Sequence, residues 1–181
     1  MSNLIVCAGG NENFYFAKAL GIGMIQSSIK LSELCIKENP PKIIFVGTCG
    51  LYDKGELLQI YHSSHAFNIE FSSIKDKFYS PIKNEINLNV SYETFKNYKT
   101  NSSNYICQNK KAAQEFAKLG LELENMEFFS ILCVAKNFGI EAEAFLCATN
   151  FCDENAHSLF IKNQEEAKKR LTLFLQEKNI I

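Results

Sequence analysis

The run Lys42-Ile43-Ile44-Phe45-Val46, entering Gly47-Thr48-Cys49-Gly50, constrains this chain more than any other segment. Four consecutive apolar residues with no alternation read as a strand buried on both faces. A second such run, Leu4-Ile5-Val6-Cys7-Ala8, ends in Gly9-Gly10. Between them, residues 24–37 change to helical spacing, with Ile25, Ile29, Ser32 and Ile36 near one face and Leu34 and Cys35 flanking it. Asn39-Pro40-Pro41 stops that helix. Strand, helix and strand with a glycine turn at the far end make a βαβ unit, so the chain predicts an α/β fold with a largely parallel sheet.

The remaining elements follow from the same signals. Short strands are expected at 14–20, 57–61, 104–107 and 144–148, with 67–74 pairing beside 57–61. Helices are expected at 110–119, closed by Gly120, at 126–138, closed by Gly139, and at 163–178, with Ala167, Leu171, Phe174 and Leu175 inward. Residues 75–104 are polar, with weak alternation at 86–90, and read as a hairpin and loop. The 181 residues fit one domain spanning 1–181.

Charge and cysteine usage exclude several classes. The formal net charge of -1 calls for no nucleic-acid partner. Seven cysteines lie mostly in apolar runs, without a C-x-x-C pair or a zinc-type Cys/His spacing. They read as reduced thiols of a cytoplasmic protein. No segment approaches about 18 apolar residues, so no membrane span is expected, and with no ligand spacing in the cysteines and histidines no metal is expected, nor any organic cofactor.

Three segments carry the chemistry. Gly47 and Gly50 allow close backbone approach to a ligand, and Thr48 adds a hydroxyl there. Glu124-Asn125-Met126-Glu127 opens an otherwise apolar helix, where Glu127 also suits the helix dipole. Ala148-Thr149-Asn150-Phe151-Cys152-Asp153 follows the last core strand; ligands of open α/β sheets gather at that edge, and Asn and Asp also suit a turn. His62, His65 and His157 read as exposed or packed residues.

In order and spacing these segments resemble the nucleoside phosphorylase family, which includes purine and uridine phosphorylases and methylthioadenosine/S-adenosylhomocysteine nucleosidases. Gly21-Ile22-Gly23, residues 42–50 and Gly55-Glu56-Leu57-Leu58 resemble its first half, and Asn125-Met126-Glu127 resembles its Met-Glu motif. The resemblance implies a three-layer α/β fold with a mixed, mostly parallel sheet flanked by helices. It implies a homo-oligomer, a dimer or larger, acting on a purine nucleoside with phosphate as co-substrate, to give free base and ribose 1-phosphate. By the same resemblance Thr48 binds phosphate, Cys49 and Gly50 lie beside the base, Met126 packs under the sugar with Asn125 before it, and Glu127 accepts the ribose 2′-hydroxyl. Asn150 takes the catalytic base-side position. Thr149-Asn150 resembles the trimeric purine phosphorylases, which use 6-oxopurines, and Asp153 is the alternative in a shifted register.

The chain departs from the family at three points. Phe45 stands where hexameric phosphorylases carry a phosphate-binding arginine, and the one arginine, Arg170, lies in the last helix, leaving phosphate to Thr48, backbone amides, Lys18 or a second subunit. Asn150 replaces an aspartate and cannot deliver a proton. The N-terminal region is shortened, and Glu12 after Gly9-Gly10 matches the water-activating glutamate of the nucleosidases. Hydrolysis by water, or nucleoside binding without turnover, are therefore the alternatives to phosphorolysis.

Overall fold

A computed structural model describes residues 2–75, 79–88, 90 and 95–181. Two parallel pairings confirm the βαβ unit. Strand β1 (Leu4–Cys7) lies beside β3 (Lys42–Leu51), with helix α1 (Met24–Glu38) as the crossover. The two-residue β2 (Lys18–Ala19) pairs with the other edge of β1. On its far side β3 runs parallel to β8 (Glu141–Phe151). Strand β8 pairs antiparallel with β4 (Ile60–Phe67).

The pairing then returns to its start. Strand β4 is parallel to β6 (Asn97–Ser102), β6 is parallel to β7 (Leu123–Asn125), and β7 is antiparallel to the end of β3. Strands β3, β8, β4, β6 and β7 thus close a ring, with β5 (Glu85–Asn87) on the outer edge of β4.

Helices cover the two faces of the sheet. On one face α1 and α4 (Phe128–Phe138) bury Leu31, Cys35, Phe128, Ile131 and Leu132 against Ile43, Phe45 and Leu146. On the other, α5 (Ala156–Glu177) buries Ala167, Leu171 and Leu175 against Ile44, Val46, Phe145 and Cys147. Alternate residues of β3 and β8 therefore feed opposite cores, as strand period demands. The short α2 (Phe71–Lys75) and α3 (Lys110–Lys118) flank a third cluster around Tyr52 and Phe116. This is the three-layer α/β arrangement expected from the sequence.

Several expected elements are corrected. The buried face of α1 is Ser27, Leu31 and Cys35, whereas Ile25, Ile29 and Ile36 face solvent. Ser27 can sit inside because its hydroxyl lies 2.7 Å from that of Ser130 on α4. The strand expected at 14–20 shrinks to β2, because residues 14–17 form a turn closed by the Ala17 N–H on the Phe14 carbonyl. Strand β4 starts at Ile60, since Leu58 adopts a left-handed backbone with φ 63°. Phe67 ends β4 and residues 68–74 lead into α2 instead of forming a further strand, and the 104–107 strand is absent, because the Cys107 N–H is taken by the Glu124 carboxylate. Within the 86–90 alternation Asn89 lies outside the described residues, and β5 ends at Asn87. Helix α4 begins at Phe128, later than expected, because residues 123–125 belong to β7.

The glycine turn expected at 47–50 is also overturned: these residues continue β3. Neither Gly47 nor Gly50 has positive φ, so close approach explains both glycines. A Cβ at Gly47 would stand 2.8 Å from a carboxylate oxygen of Glu12, and one at Gly50 would stand 2.8 Å from Cys152 Sγ and 3.1 Å from Asn150 Nδ2. Gly50→Ala is therefore expected to cost about 1–3 kcal/mol through overpacking alone. Urea unfolding measures it, and a midpoint equal to wild type would contradict the close packing at this position.

Candidate active site

The carboxyl ends of β1, β3, β7 and β8 open into one cavity of about 390 Å³, within the range of small-molecule sites. Thr48, Cys49, Gly50, Asn125, Met126, Glu127 and Asn150, the residues given site roles from sequence, all line it. Asp153 is not in the lining; its carboxylate accepts the Asn155 N–H at 2.8 Å in a local turn.

Glu12 enters from the loop after β1. Gly9 and Gly10 take positive φ, and the Glu12 N–H closes the turn on the Gly9 carbonyl at 3.0 Å. The Glu12 carboxylate then reaches β3, where it accepts the Thr48 hydroxyl and, at 3.2 Å, the Thr48 N–H. The missing side chain of Gly47 makes room for it. Glu12 remains partly exposed as a residue, but desolvation of its carboxyl end raises its pKa against the lowering effect of Thr48.

Glu127 occupies the N-cap position of α4 without capping that helix through its side chain. Asn125 does so instead, its Oδ1 accepting the N–H groups of Glu127 at 2.7 Å and Phe128 at 2.9 Å. The Asn125 amide also donates to the Thr48 carbonyl at 3.2 Å, tying α4 to β3. The Glu127 carboxylate is thereby released toward the cavity, where it accepts the Gly23 N–H at 2.8 Å at the start of α1. Burial is the main cause that pushes its pKa up to about 7; the Glu12 charge adds to it and the Gly23 N–H opposes it.

Asn150 is nearly buried at 6 % exposure. Thr149 Oγ1 donates to its Oδ1 at 2.9 Å, and one Nδ2 proton goes to the Phe151 carbonyl at 3.0 Å. That leaves the second Nδ2 proton as a donor on the cavity side. Cys49 contributes a wall: burial pushes its thiol well above the ordinary value, which keeps it protonated and un-nucleophilic.

Sequence reasoning gave no role to Glu124, a third buried carboxylate in the lining, and read His157, at the exposed rim, as a residue outside any site. Glu124 gave no signal because its strand is three residues long. Among the described residues no lysine or arginine lines the cavity. Lys18 pairs on the surface with Glu38 at 2.6 Å, and Arg170 binds Glu166 and the Leu58 carbonyl. Phe45, at the position expected for an arginine in a phosphorylase, is fully buried and stacks on Phe128. His62 is buried 3.0 Å from Glu143, and His65 lies 2.8 Å from Glu85, both as packed residues outside the lining.

No family model matches the chain, and no curated protein matches it in sequence. Solved structures do match in fold. A mutant of futalosine hydrolase from Helicobacter pylori strain 26695 superposes with TM-score 0.79 at 14% identity, over 97% of each chain. The 5′-methylthioadenosine/S-adenosylhomocysteine nucleosidase of the same organism, with butyl-thio-DADMe-Immucillin-A, gives 0.79 at 15% identity over 98% of this chain and 99% of that one. The corresponding nucleosidase of Streptococcus pneumoniae, with a transition-state inhibitor, gives 0.75 at 10% identity over 94% of each. The chain therefore has the fold that its sequence resemblance implied.

The raised pKa of Glu127 has a stability consequence. The folded protein holds this proton up to about pH 7, whereas the unfolded chain releases it near 4.5. Falling pH between these values favours the folded state, and the ionised group penalises it above pH 7. Glu127→Gln keeps an acceptor for Gly23 and removes the penalty. The variant should be more stable than wild type at pH 8, by an amount on the order of 3 kcal/mol, with the difference closing by pH 5. Denaturant midpoints across this range measure it, and a pH-independent difference would refute the assignment.

Proposed function

We propose that this chain is a hydrolytic purine nucleosidase that cleaves the N-glycosidic bond with water. The observation that carries the reading is the charge of the cavity: Glu12, Glu124 and Glu127 line it, no lysine or arginine among the described residues does, and only the Lys168 charge acts on Glu12 from outside the lining. A phosphate dianion entering would meet buried carboxylates, and Thr48, the hydroxyl expected to hold it, already binds Glu12. Phosphorolysis therefore gives way to hydrolysis. The solved neighbours, by name nucleosidases and a futalosine hydrolase, support the same choice.

Each residue then has a physical task. Glu12, with a raised pKa, takes a proton from a water directed at the anomeric carbon. The water oxygen bonds to that carbon, the C–N bond breaks, and its electron pair leaves with the base. Glu127 accepts a ribose hydroxyl and favours the cationic sugar of the transition state, with Met126 beneath the ring. Asn150 donates from Nδ2 to the departing base. It cannot protonate that base, so the leaving group departs as an anion stabilised by the donor. The base anion then takes up a proton from solvent and Glu12 releases its own to solvent, so the products are free base and ribose.

The same reading covers the chain as one domain and places it in the cytoplasm. Seven free cysteines agree with a reducing compartment, and no helix among the described residues is long and apolar enough to cross a membrane. It also includes a homo-oligomer. The exposed Ile25, Ile29 and Ile36 of α1, continuing from Ile22 at the cavity rim, offer an apolar face for a second copy.

A panel of purine nucleosides assayed with and without phosphate tests the proposal. Base release is expected to be unchanged when phosphate is removed, and ¹⁸O from labelled water should appear in the ribose. Glu12→Gln should lower kcat by about 100-fold or more, as loss of a general base does. Strict phosphate dependence with formation of ribose 1-phosphate would exclude the hydrolytic reading.

A further inference from the structure

We infer that Glu124 is the residue that selects the base, accepting a hydrogen bond from an N–H on the six-membered ring edge of the purine beside the Asn150 donor. The inference rests on the purine-nucleoside reading of the cavity. Its geometric basis is one row across three strands. Gly50 of β3 pairs with Glu124 of β7 on one side and with Asn150 of β8 on the other. Gly50 has no side chain, and the Cβ it lacks would stand 3.1 Å from Asn150 Nδ2 and 3.7 Å from Glu124 Cβ. Both residues thus line the same cavity across bare backbone, and Glu124 also lines the neighbouring cavity beside Cys107 and Phe116.

The surroundings of Glu124 fix its hydrogen-bond sense. Asn101 Nδ2 donates to the Tyr52 hydroxyl at 3.1 Å, which directs the Tyr52 proton onto Glu124 Oε1, also at 3.1 Å. The Cys107 N–H donates to Oε2 at 2.9 Å, and the Cys152 thiol meets the same oxygen at 3.5 Å. Every one of these partners donates, so Glu124 is held as an acceptor. A carboxylate offers about four lone-pair sites, and three donors leave capacity for one more. That capacity can be met from the cavity only by an N–H or O–H group.

The base end of the pocket therefore presents a donor, Asn150 Nδ2, next to an acceptor, Glu124. A purine that places an acceptor next to an N–H is complementary to this pair. Two sources have that chemistry: the O6 and N1–H of a 6-oxopurine, and the N7 and exocyclic amine of adenine. A purine lacking such an N–H would leave the remaining acceptor site of Glu124 desolvated and unpaired, a mismatch that polar sites reject strongly.

Equilibrium binding of free bases to the wild-type protein tests this without relying on turnover. Hypoxanthine and adenine are compared with unsubstituted purine, 1-methylhypoxanthine and N6,N6-dimethyladenine. At least one N–H-bearing base is expected to bind about 100-fold or more tightly than its N–H-free counterpart. Discrimination confined to the hypoxanthine pair assigns the lactam, and discrimination confined to the adenine pair assigns the amine. Equal binding within both pairs, or binding of none of the five, overturns the inference. Glu124→Gln, checked for folding by circular dichroism, should erase the discrimination; retained discrimination also overturns the inference. Hydrolysis of inosine, adenosine and purine riboside with equal kcat/KM would sink the role of Glu124 and leave the nucleosidase reading standing. Selective base binding without hydrolysis would do the reverse.

Discussion

The parallel pairing of β3 with β8 is the constraint on which the site depends. Its register runs from Lys42 opposite Glu141 to Leu51 opposite Phe151, with one irregularity between Cys49 and Gly50. There the register passes over Thr149, so that Gly50 faces Asn150. A one-residue change of register sends side chains to the opposite face, and an irregularity of this kind re-aims a residue at a strand end. The extra residue is well held. The Thr149 carbonyl accepts the Asn163 amide of α5 at 2.7 Å, and its hydroxyl orients Asn150. Glu12, Glu127 and Glu124 are all positioned against this pair of strands or against the β7 strand that ends on it.

Gathering three carboxylates in one partly desolvated cavity works against stability, since burial disfavours the charged form of each. The fold offsets this with donors on neighbouring strands, helix starts and loops. Two belong to Thr48 on β3, one to Gly23 at the start of α1, and one to Cys107 in the loop after β6. Donors fixed in this way need no reorganisation when charge develops, the condition for electrostatic stabilisation of a transition state. Under the proposed function, that field attracts a sugar acquiring positive charge and repels a phosphate. Phe45 packs on Phe128 outside the lining, and Glu12 beside Thr48 adds to the acidic side of the cavity.

What the sequence revealed and what it hid have a common physical basis. The runs at 4–8 and 42–46 were legible because both of their faces are buried, which leaves a continuous apolar signature. Glu127 and Asn150 were picked out through motif order, and both line the cavity. The α1 face was misread because its isoleucines point outward while Ser27 points in, and periodicity locates a face only when the apolar residues lie on it. Strand β6 was missed for the related reason that Thr100, Asn101 and Ser102 are fully buried polar residues.

That polar strand explains how Glu124 came to be hidden. Asn101 supports Tyr52 and caps the Ile69 backbone, while Ser102 accepts the Phe129 N–H at the first turn of α4. Read along the chain, Asn97–Ser102 looks like a loop; read across the sheet, it is the strand beside β7 that holds both Glu124 and the start of α4 in place. Buried polar groups must be satisfied, and here they are satisfied by one another and by backbone from distant segments. Such networks leave no periodic trace, because each partner lies in a different element. A site built on them can change its ligand preference through a single buried residue while the apolar strands, and hence the fold, stay as they are.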